Sequence, residues 1–584
     1  MPATFSTETL LGVILDDAEG SSILHRYLPA LLAEPWVLPL RHMPIGEIVS
    51  VFGGSLLDAD ASQQLWAELA ALGPKPHGPV SVHVDSPVTP RADYEPESVE
   101  RASAPASYPV EVQRWDVFEL ELQGPAHGNP FVDVDIAARF TCQGTEVRAG
   151  GFYDGDGRYV VRFMPPSDGV WSFVTESTAR SLDGIAGGFT AHRPGQGNRG
   201  PVRVDDQFHF AYASGEPFVP LGTTSYAWTH QPPALQKHTV ETLAGSGFTK
   251  LRMCLFPKSY IFNVNEPDSF PFETAEAGAF DFTRFDPSYF RNLEHRIRQL
   301  LALGIEADLI LFHPYDRWGF SDLGSVVDDR YLRYVVRRLA AFRNVWWSMA
   351  NEYDLLRSKS TDDWERLAGI VTDEDHVGHL NSIHNWFKLY DHSRPWITHC
   401  SIQGNAVDKV SEWRVTWGKP VVLDECGYEG DLPYGWGNIT GEELTRLHWE
   451  GAVRGAYVGH GETYVNPAEE LWWSKGGALV GDSPERIAFL RTVVEASPTG
   501  RLEPLPGDWD LPWGGVAERY AVGYFGAKQP RYREIQRRPG ARFHVDVIDT
   551  WNMTIERLPE MLEGSMRVDL PARPYMAIRL VAVD

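Results

Sequence analysis

Two glutamates, Glu352 and Glu425, stand at the ends of short apolar runs of the kind that form buried strands. Val345–Ala350 leads into Asn351 and Glu352, and residues 420–423 lead into Asp424 and Glu425. In a barrel of parallel strands, the loops after the strands gather at one face and build the active site there. Two carboxylates at that face suit acid–base chemistry, one as the acid and the other as a nucleophile or base.

The surrounding pattern supports parallel strands covered on both faces, because a helical pattern at residues 331–342 precedes the first run. Successive strand residues point to opposite faces, so Asp424 and Glu425 cannot both face the mouth. We expect Glu425 to face it and Asp424 to point toward the helices or a loop. Glu429 is the alternative to Glu425, and Asp354 is the alternative to Glu352. Ordinary loop-capping carboxylates remain the alternative for both sites.

The Asn351-Glu352 pair and the later Glu425 resemble the signature of the clan A retaining glycoside hydrolases, which include cellulases, β-galactosidases and α-L-arabinofuranosidases. The resemblance covers roughly residues 200–495. The two glutamates lie 73 residues apart (425 − 352), which leaves room for three strand–helix units. The resemblance implies a (β/α)8 barrel, Glu352 as acid/base, Glu425 as nucleophile, and no metal or organic cofactor.

The same resemblance implies supporting roles for other residues. Arg252 would bond the nucleophile, Asn351 the sugar 2-hydroxyl, and His313 would lie beside the sugar ring. Trp472 or Trp473 would form an aromatic platform. The sequence departs from the family at residues 406–417, where the expected strand-six Tyr or His is missing and Tyr428 or His399 could substitute. A lone His or Trp is more often a hydrogen-bonded or packed side chain, and that is the alternative for His313 and for Trp472 and Trp473. The remaining substrate-binding candidates are Tyr226, Trp228, Asp316, Trp318 and Lys258.

Patterning divides the chain into five parts. Residues 1–75 are expected to form a helical extension, either a cap on another domain or a contact in a homo-oligomer, and residues 76–107, rich in Pro, a linker. Residues 108–195 predict a β-sandwich resembling an immunoglobulin-like module, with a Gly-Asp-Gly hairpin signal at 155–157. Residues 200–497 hold the barrel, and residues 500–584 a C-terminal β-sandwich.

Seven barrel strands can be assigned from apolar runs, at residues 217–224, 249–255, 307–312, 345–350, 396–400, 421–425 and 463–465. These are strands one to five, seven and eight. Strand six has a place only within residues 406–417, where the pattern is poor.

Composition narrows the function further. The net charge of −26 over 584 residues opposes binding to nucleic acid or an anionic membrane and suits a neutral oligosaccharide. Four cysteines without metal-type spacing predict reduced, buried thiols. No secretory pattern opens the chain and no run approaches ~18 apolar residues, so we expect a cytoplasmic protein.

Two long segments, 257–283 and 427–438, carry aromatic residues and follow strands two and seven. Long loops in a compact domain usually serve a site. We therefore expect a walled pocket and an exo-acting glycosidase on short oligosaccharides. The alternatives are an endo-acting, inverting or transglycosylating enzyme, and a carbohydrate-binding protein without catalysis.

Overall fold

A computed structural model describes residues 4–32, 37, 41, 44–52, 57–74, 88–274 and 279–583. The N-terminal part is helical, as predicted, and residues 76–87 of the expected linker lie outside the described residues. Its helices pack around Leu24, Leu65 and Leu69, and this core continues into Leu355 of the central region. The helices are Leu11–Asp16, Ala18–Tyr27, Pro29–Leu32, Ile45–Phe52 and Ala59–Ala71.

Residues 106–192 form one continuous sheet. The Gly-Asp-Gly segment does connect two antiparallel strands there, although the first of them, Thr145–Tyr153, escaped the sequence pattern. A short helical turn, Pro130–Asp133, precedes the strand Ile136–Cys142 of this sheet. The strands are Ala106–Ser107, Glu111–Gln113, Phe118–Gln123, Ile136–Cys142, Thr145–Tyr153, Arg158–Phe163, Gly169–Ser177 and Ala186–His192.

The central region is a curled parallel sheet in two parts, of five and three strands. Isolated parallel bridges join the parts, between His384 and Ser401 on one side and between Thr223 and His460 on the other. The strands, numbered one to eight in order, are Gly222–Thr224, Lys250–Cys254, Glu306–Phe312, Val345–Ala350, Asn381–Ser382, Cys400–Gln403, Val421–Glu425 and Tyr457–Val458.

Three strand predictions are wrong. Strand five is Asn381–Ser382, and Cys400–Gln403, assigned in part to strand five from the sequence, is strand six. Residues 406–417, the proposed place of strand six, contain the helix Val410–Trp417. Strand eight is Tyr457–Val458, before the predicted 463–465. The predicted strand one was too long, because Pro217–Phe218 belongs to a small antiparallel sheet.

Helices separate most of these strands, and their ends show why they form. Pro287–Leu303 begins at Asp286, whose side chain accepts the Ser288 N–H at 2.8 Å, and ends at Gly304 with a φ of 74°. A capping carboxylate and a left-handed glycine stabilise the two ends. The helices of this region are Pro233–Ala244, Pro287–Leu303, Ser325–Leu339, Thr361–Glu374, Val410–Trp417, Gly441–Val453, Trp472–Lys475 and Ser483–Glu495.

The inside of the curled sheet holds a buried ionic cluster. Lys250 Nζ on strand two lies 2.6 Å from Asp308 on strand three and 2.7 Å from Asp424 on strand seven. Because strands two and seven are not neighbours, these side chains meet across the interior. Asp424 therefore points inward, and the expectation that it faces the helices or a loop is wrong.

The C-terminal part is rich in strands, as predicted. Its main sheet continues through Tyr520–Tyr524, Met576–Ala582 and Arg542–Asp549, and a second sheet has two strands. Across all described residues, no helix is both long and apolar enough to cross a membrane. The strands are Glu503–Asp508, Leu511–Val516, Tyr520–Tyr524, Tyr532–Gln536, Arg542–Asp549, Thr554–Arg557, Leu562–Glu563, Ser565–Asp569 and Met576–Ala582.

Candidate active site

A cleft of about 1230 Å³ opens at the carboxyl ends of the strands of the curled sheet. Glu352 and Glu425 both line it, and so do Tyr226, Asn351 and Trp473. Strands four and seven end at the same face, which is why two glutamates distant in sequence share one cleft.

Glu425 is held by hydroxyl groups. The Tyr226 hydroxyl donates a hydrogen bond to Glu425 and also lies 3.2 Å from Asn351 Oδ1. Burial raises the pKa of Glu425 to about 7, and the nearby Tyr428 hydroxyl opposes that rise. His384 Nε2 lies 4.0 Å from the Glu425 carboxylate. The Tyr226 contact joins the ends of strands one, four and seven around one carboxylate.

Glu352 occupies an unusual backbone position, with a φ of 50°. A left-handed conformation costs a non-glycine residue about 1–3 kcal/mol and persists only where neighbours enforce it. The Tyr353 N–H donates to the His384 carbonyl at 2.9 Å, and the Tyr315 hydroxyl donates to the Glu352 carboxylate. Burial raises the pKa of Glu352, and the charge of Lys258 opposes that rise. A buried carboxyl with a raised pKa is suited to donate a proton.

Lys258 is a buried cation beside these groups, only 2% exposed. Its ammonium lies 3.5 Å from the ring centroid of Tyr226 and 4.2 Å from that of Tyr315. Burial lowers the pKa of Lys258 to about 8, although Glu352 acts in the opposite direction. Aromatic faces attract such a cation without fixing it as an ion pair would.

Arg252 does not make the contact with Glu425 that the resemblance implied. Its guanidinium donates to Ser348 Oγ at 3.1 Å and to Asn351 Oδ1 at 3.2 Å, and it lies 3.5 Å from Asp308. Buried Asp308 draws the guanidinium toward the interior of the sheet. Arg252 thus orients Asn351, which in turn contacts Tyr226.

The remaining candidates divide into two groups. Tyr428, Asp316 and Trp473 line the cleft with Tyr226, Asn351 and Lys258. Five others are outside the cleft lining: Trp228, His313, Trp318, His399 and Trp472.

Each of these five has another partner. The indole N–H of Trp228 donates to Met253 Sδ, that of Trp318 to Glu266, and that of Trp472 to Thr223. His313 bonds the Phe256 carbonyl, and His399 packs against Phe210 and Trp346. The alternative considered for lone His and Trp residues, an ordinary packed role, describes these five.

The two rival carboxylates have structural partners. Asp354 accepts backbone N–H groups from residues 386–388 at 2.6–2.8 Å. Glu429 accepts the Asp482 and Ser483 N–H groups at 2.7 and 3.0 Å, at the start of Ser483–Glu495. Both hold loop segments, whereas Glu352 and Glu425 face open space.

Sequence reasoning missed Tyr315, His384 and Gln403 as site residues. Gln403 ends strand six, lines the cleft and lowers the pKa of Glu352. His384 follows strand five, so the wrong placement of strands five and six concealed both. Tyr315 stands two residues after His313, and an aromatic ring three positions beyond the end of strand three was the signal available for it.

Comparisons with known proteins indicate the family of this chain. Residues 205–475 match the apiosidase-like catalytic domain, and residues 111–178 and 509–581 match two domains of unknown function, DUF5060 and DUF5605. A crystal structure of a candidate glycoside hydrolase from Bacteroides vulgatus ATCC 8482 is 39% identical, with a TM-score of 0.78. The alignment covers 81% of this chain and 100% of that one. This chain belongs to the glycoside hydrolases.

Other solved structures resemble this chain more distantly. A family 5 glycoside hydrolase from the same Bacteroides strain is 13% identical with a TM-score of 0.52, over 66% of this chain and 94% of its own. That likeness concerns the fold alone. No curated protein sequence matches this chain.

Proposed function

We propose that this glycoside hydrolase works with retention of configuration, with Glu425 as nucleophile and Glu352 as acid/base. The observation that carries the proposal is the shared cleft, in which Tyr226 contacts both Glu425 and the Asn351 that precedes Glu352. The parallel strands and the bridges that join their two parts support a (β/α)8 barrel of clan A as the framework. The strand-rich parts before and after it would be its two flanking β-sandwiches.

In the first step, the Glu425 carboxylate attacks the anomeric carbon while protonated Glu352 donates its proton to the leaving oxygen. A covalent glycosyl–enzyme forms and the glycosidic bond breaks. In the second step, Glu352 takes a proton from a water molecule whose oxygen attacks the anomeric carbon, and the bond between that carbon and Glu425 breaks, which frees the sugar and the Glu425 carboxylate. The Tyr226 hydroxyl stabilises the free Glu425 carboxylate before attack and again after release.

The sugar contacts follow from the groups that face the cleft. Asn351 is oriented by Arg252 and would bond the sugar 2-hydroxyl as charge develops at the anomeric carbon. Trp473 and Tyr428 present aromatic rings 5.5 Å apart, centroid to centroid, against which a sugar face can pack. Lys258 lines the cleft and is placed to bond a further hydroxyl, whereas the two Asp316 oxygens accept the backbone N–H groups of Trp318 and Ser321.

We infer an exo-acting mode on short oligosaccharides from the walls of the cleft. Residues of the loop after strand two, among them Tyr260 and Phe262, line it opposite Tyr434 and Trp436 from the loop after strand seven. Trp436 packs against Phe262 and Trp473, with ring centroids 6.0 and 5.0 Å apart. The two loops thus meet at one end, which suits a closed non-reducing end. We also propose a cytoplasmic location, which the four free, buried cysteines support.

Turnover of a panel of aryl glycosides tests the activity, and the panel includes apiosides because of the matching domain's name. For the sugar that is cleaved, proton NMR of the first product identifies its anomer. We expect the anomer of the substrate, and the Glu352 and Glu425 carboxyl groups roughly 5–5.5 Å apart. The opposite anomer would indicate an inverting enzyme, and early release of mixed fragments from a matched polymer would indicate endo action.

A further inference from the structure

We propose that the N-terminal helical extension, residues 4–74 where described, forms the leaving-group wall of the cleft and selects the sugar unit released on the Glu352 side. This inference rests on the proposed function, because it assigns Glu352 the role of acid. It gives the extension a part in substrate choice, which neither the cap nor the subunit contact expected from the sequence included.

Residues of the extension line the same cleft as the two glutamates. Ala30 and Leu31 come from the helical turn Pro29–Leu32, and Arg41 follows in the next segment. Arg41 donates to Asp16 at the end of Leu11–Asp16, which ties its guanidinium to the extension. The extension therefore presents an apolar surface and a fixed set of N–H donors to the cleft.

The extension is also packed directly on the turn that carries Glu352. Leu355, three residues later, is 2% exposed and belongs to the extension's hydrophobic core, against which Trp386 also packs. Asp354, which lies between Glu352 and Leu355 in the chain, accepts the Trp386 N–H at 2.6 Å. The extension thus covers the loops after strands four and five, beside the acid/base turn.

The nucleophile has different neighbours. Tyr226 and Tyr428 contact Glu425, Trp473 of the short helix Trp472–Lys475 packs against both tyrosines, and all three belong to the central region. Because an acid protonates the leaving oxygen, the leaving group must lie on the Glu352 side of the scissile bond. The wall made by the extension faces that side.

The matched families support a role in selection rather than in the chemistry itself. The three domain matches begin at residues 111, 205 and 509, so the extension lies outside all of them. The catalytic residues proposed above lie within residues 205–475. The N–H donors of Arg41 suit the hydroxyl groups of a neutral sugar ring, and the ring of Phe387, in the loop after strand five, suits its apolar face.

The test compares two substrates that carry the same reacting sugar, namely its glycosyl fluoride and its disaccharide. Fluoride is too small to touch the wall, whereas the second sugar of the disaccharide must pass it. In Ala30→Trp, the indole at this exposed position extends the wall into the cleft. We expect kcat/KM for the disaccharide to fall tenfold or more relative to that for the fluoride, mainly through KM.

The matched control is Ala70→Trp, which places the same side chain on an exposed face of Ala59–Ala71, outside the cleft lining. Its substrate ratio should stay at the wild-type value. Arg41→Gln removes the guanidinium donors and should shift the ratio in the same direction by threefold or more; it decides the matter if Ala30→Trp lowers the melting temperature. An unchanged ratio in folded variants overturns the inference. A wild-type enzyme that hydrolyses no glycosyl fluoride overturns the proposed function instead.

Discussion

The curled sheet holds two buried lysines, Lys250 inside it and Lys258 above it, whose carboxylate neighbours are arranged in opposite ways. Lys250 lies within 2.7 Å of both Asp308 and Asp424. Burial alone would lower the pKa of Lys250 and raise that of Asp424, but the close opposite charges reverse both effects. These opposite charges therefore favour the charged forms of Lys250 and Asp424, the lower cluster.

The upper cluster, Lys258 with Glu352 and Glu425, also combines a lysine with two carboxylates, but it has no such ion pair. Among the described residues, no carboxylate oxygen lies within 4 Å of Lys258 Nζ, so burial dominates. It lowers the pKa of Lys258 to about 8 and raises that of Glu425 to about 7. The distance between opposite charges thus decides whether a buried group serves stability or remains able to exchange a proton.

The largest predicted effect compares the neighbours Glu425 and Asp424. Glu425→Gln removes the nucleophile, so we expect turnover to fall by roughly three orders of magnitude or more with the fold intact. Asp424→Asn leaves Lys250 with one carboxylate fewer, so the free energy of unfolding should fall by about 3–5 kcal/mol. Steady-state kinetics and urea unfolding on both variants measure the two effects.

Glu429→Gln serves as a second carboxylate control, because Glu429 holds backbone N–H groups at a helix start. It should weaken stability more than it changes kcat. A Glu425→Gln enzyme with a tenth of the wild-type turnover would instead move the nucleophile to Glu429.

How far the sequence predicts this pair of clusters depends on strand length. Strand four is a six-residue apolar run, and strand seven begins with one, so both glutamates could be placed at strand ends. Strand five has two residues, Asn381–Ser382, with polar side chains that tertiary packing buries. No periodic pattern marks so short a strand. Because strand five could not be recognised, the positions of His384 and Gln403 could not be predicted either.

The lower cluster was beyond sequence reasoning for a different reason. Lys250, Asp308 and Asp424 are far apart in the chain, and only closure of the sheet brings them together. Alternation along strand seven predicts that Glu425 faces the mouth and that Asp424 points toward the helices or a loop. Glu425 does line the cleft at the strand end, but Asp424 lies in the interior, against Lys250.

The pH dependence should separate activity from stability. Glu425 must be ionised to attack, and its raised pKa means that kcat/KM should decline as pH falls through about 7. Asp424 has a lowered pKa, so its contribution to stability is present above its unfolded value of about 3.9 and is lost only below it. Between these limits the enzyme should be folded and inactive.

Profiles of kcat/KM and of melting temperature against pH, measured in the same buffers, check this separation. Glu425 itself contributes in the opposite sense, since a raised carboxyl pKa makes the fold less stable as pH rises from about 4.3 toward 7. Glu425→Gln should therefore flatten the stability profile there. Activity loss that coincides with unfolding would contradict the comparison of the two clusters.

The smallest predicted effect concerns Lys258. Its positive charge lowers the pKa of Glu352, so Lys258→Met should raise that pKa and move the alkaline decline of kcat/KM to higher pH. Methionine keeps the contacts with the Tyr226 and Tyr315 rings, and Lys258→Arg keeps the charge. The Arg variant should therefore stay close to wild type. If the alkaline decline instead reports deprotonation of Lys258 itself near its pKa of about 8, the Met variant will lack it at that pH and show lower activity throughout. An alkaline decline that moves to lower pH in Lys258→Met would mean that the lysine does not act on Glu352 through its charge.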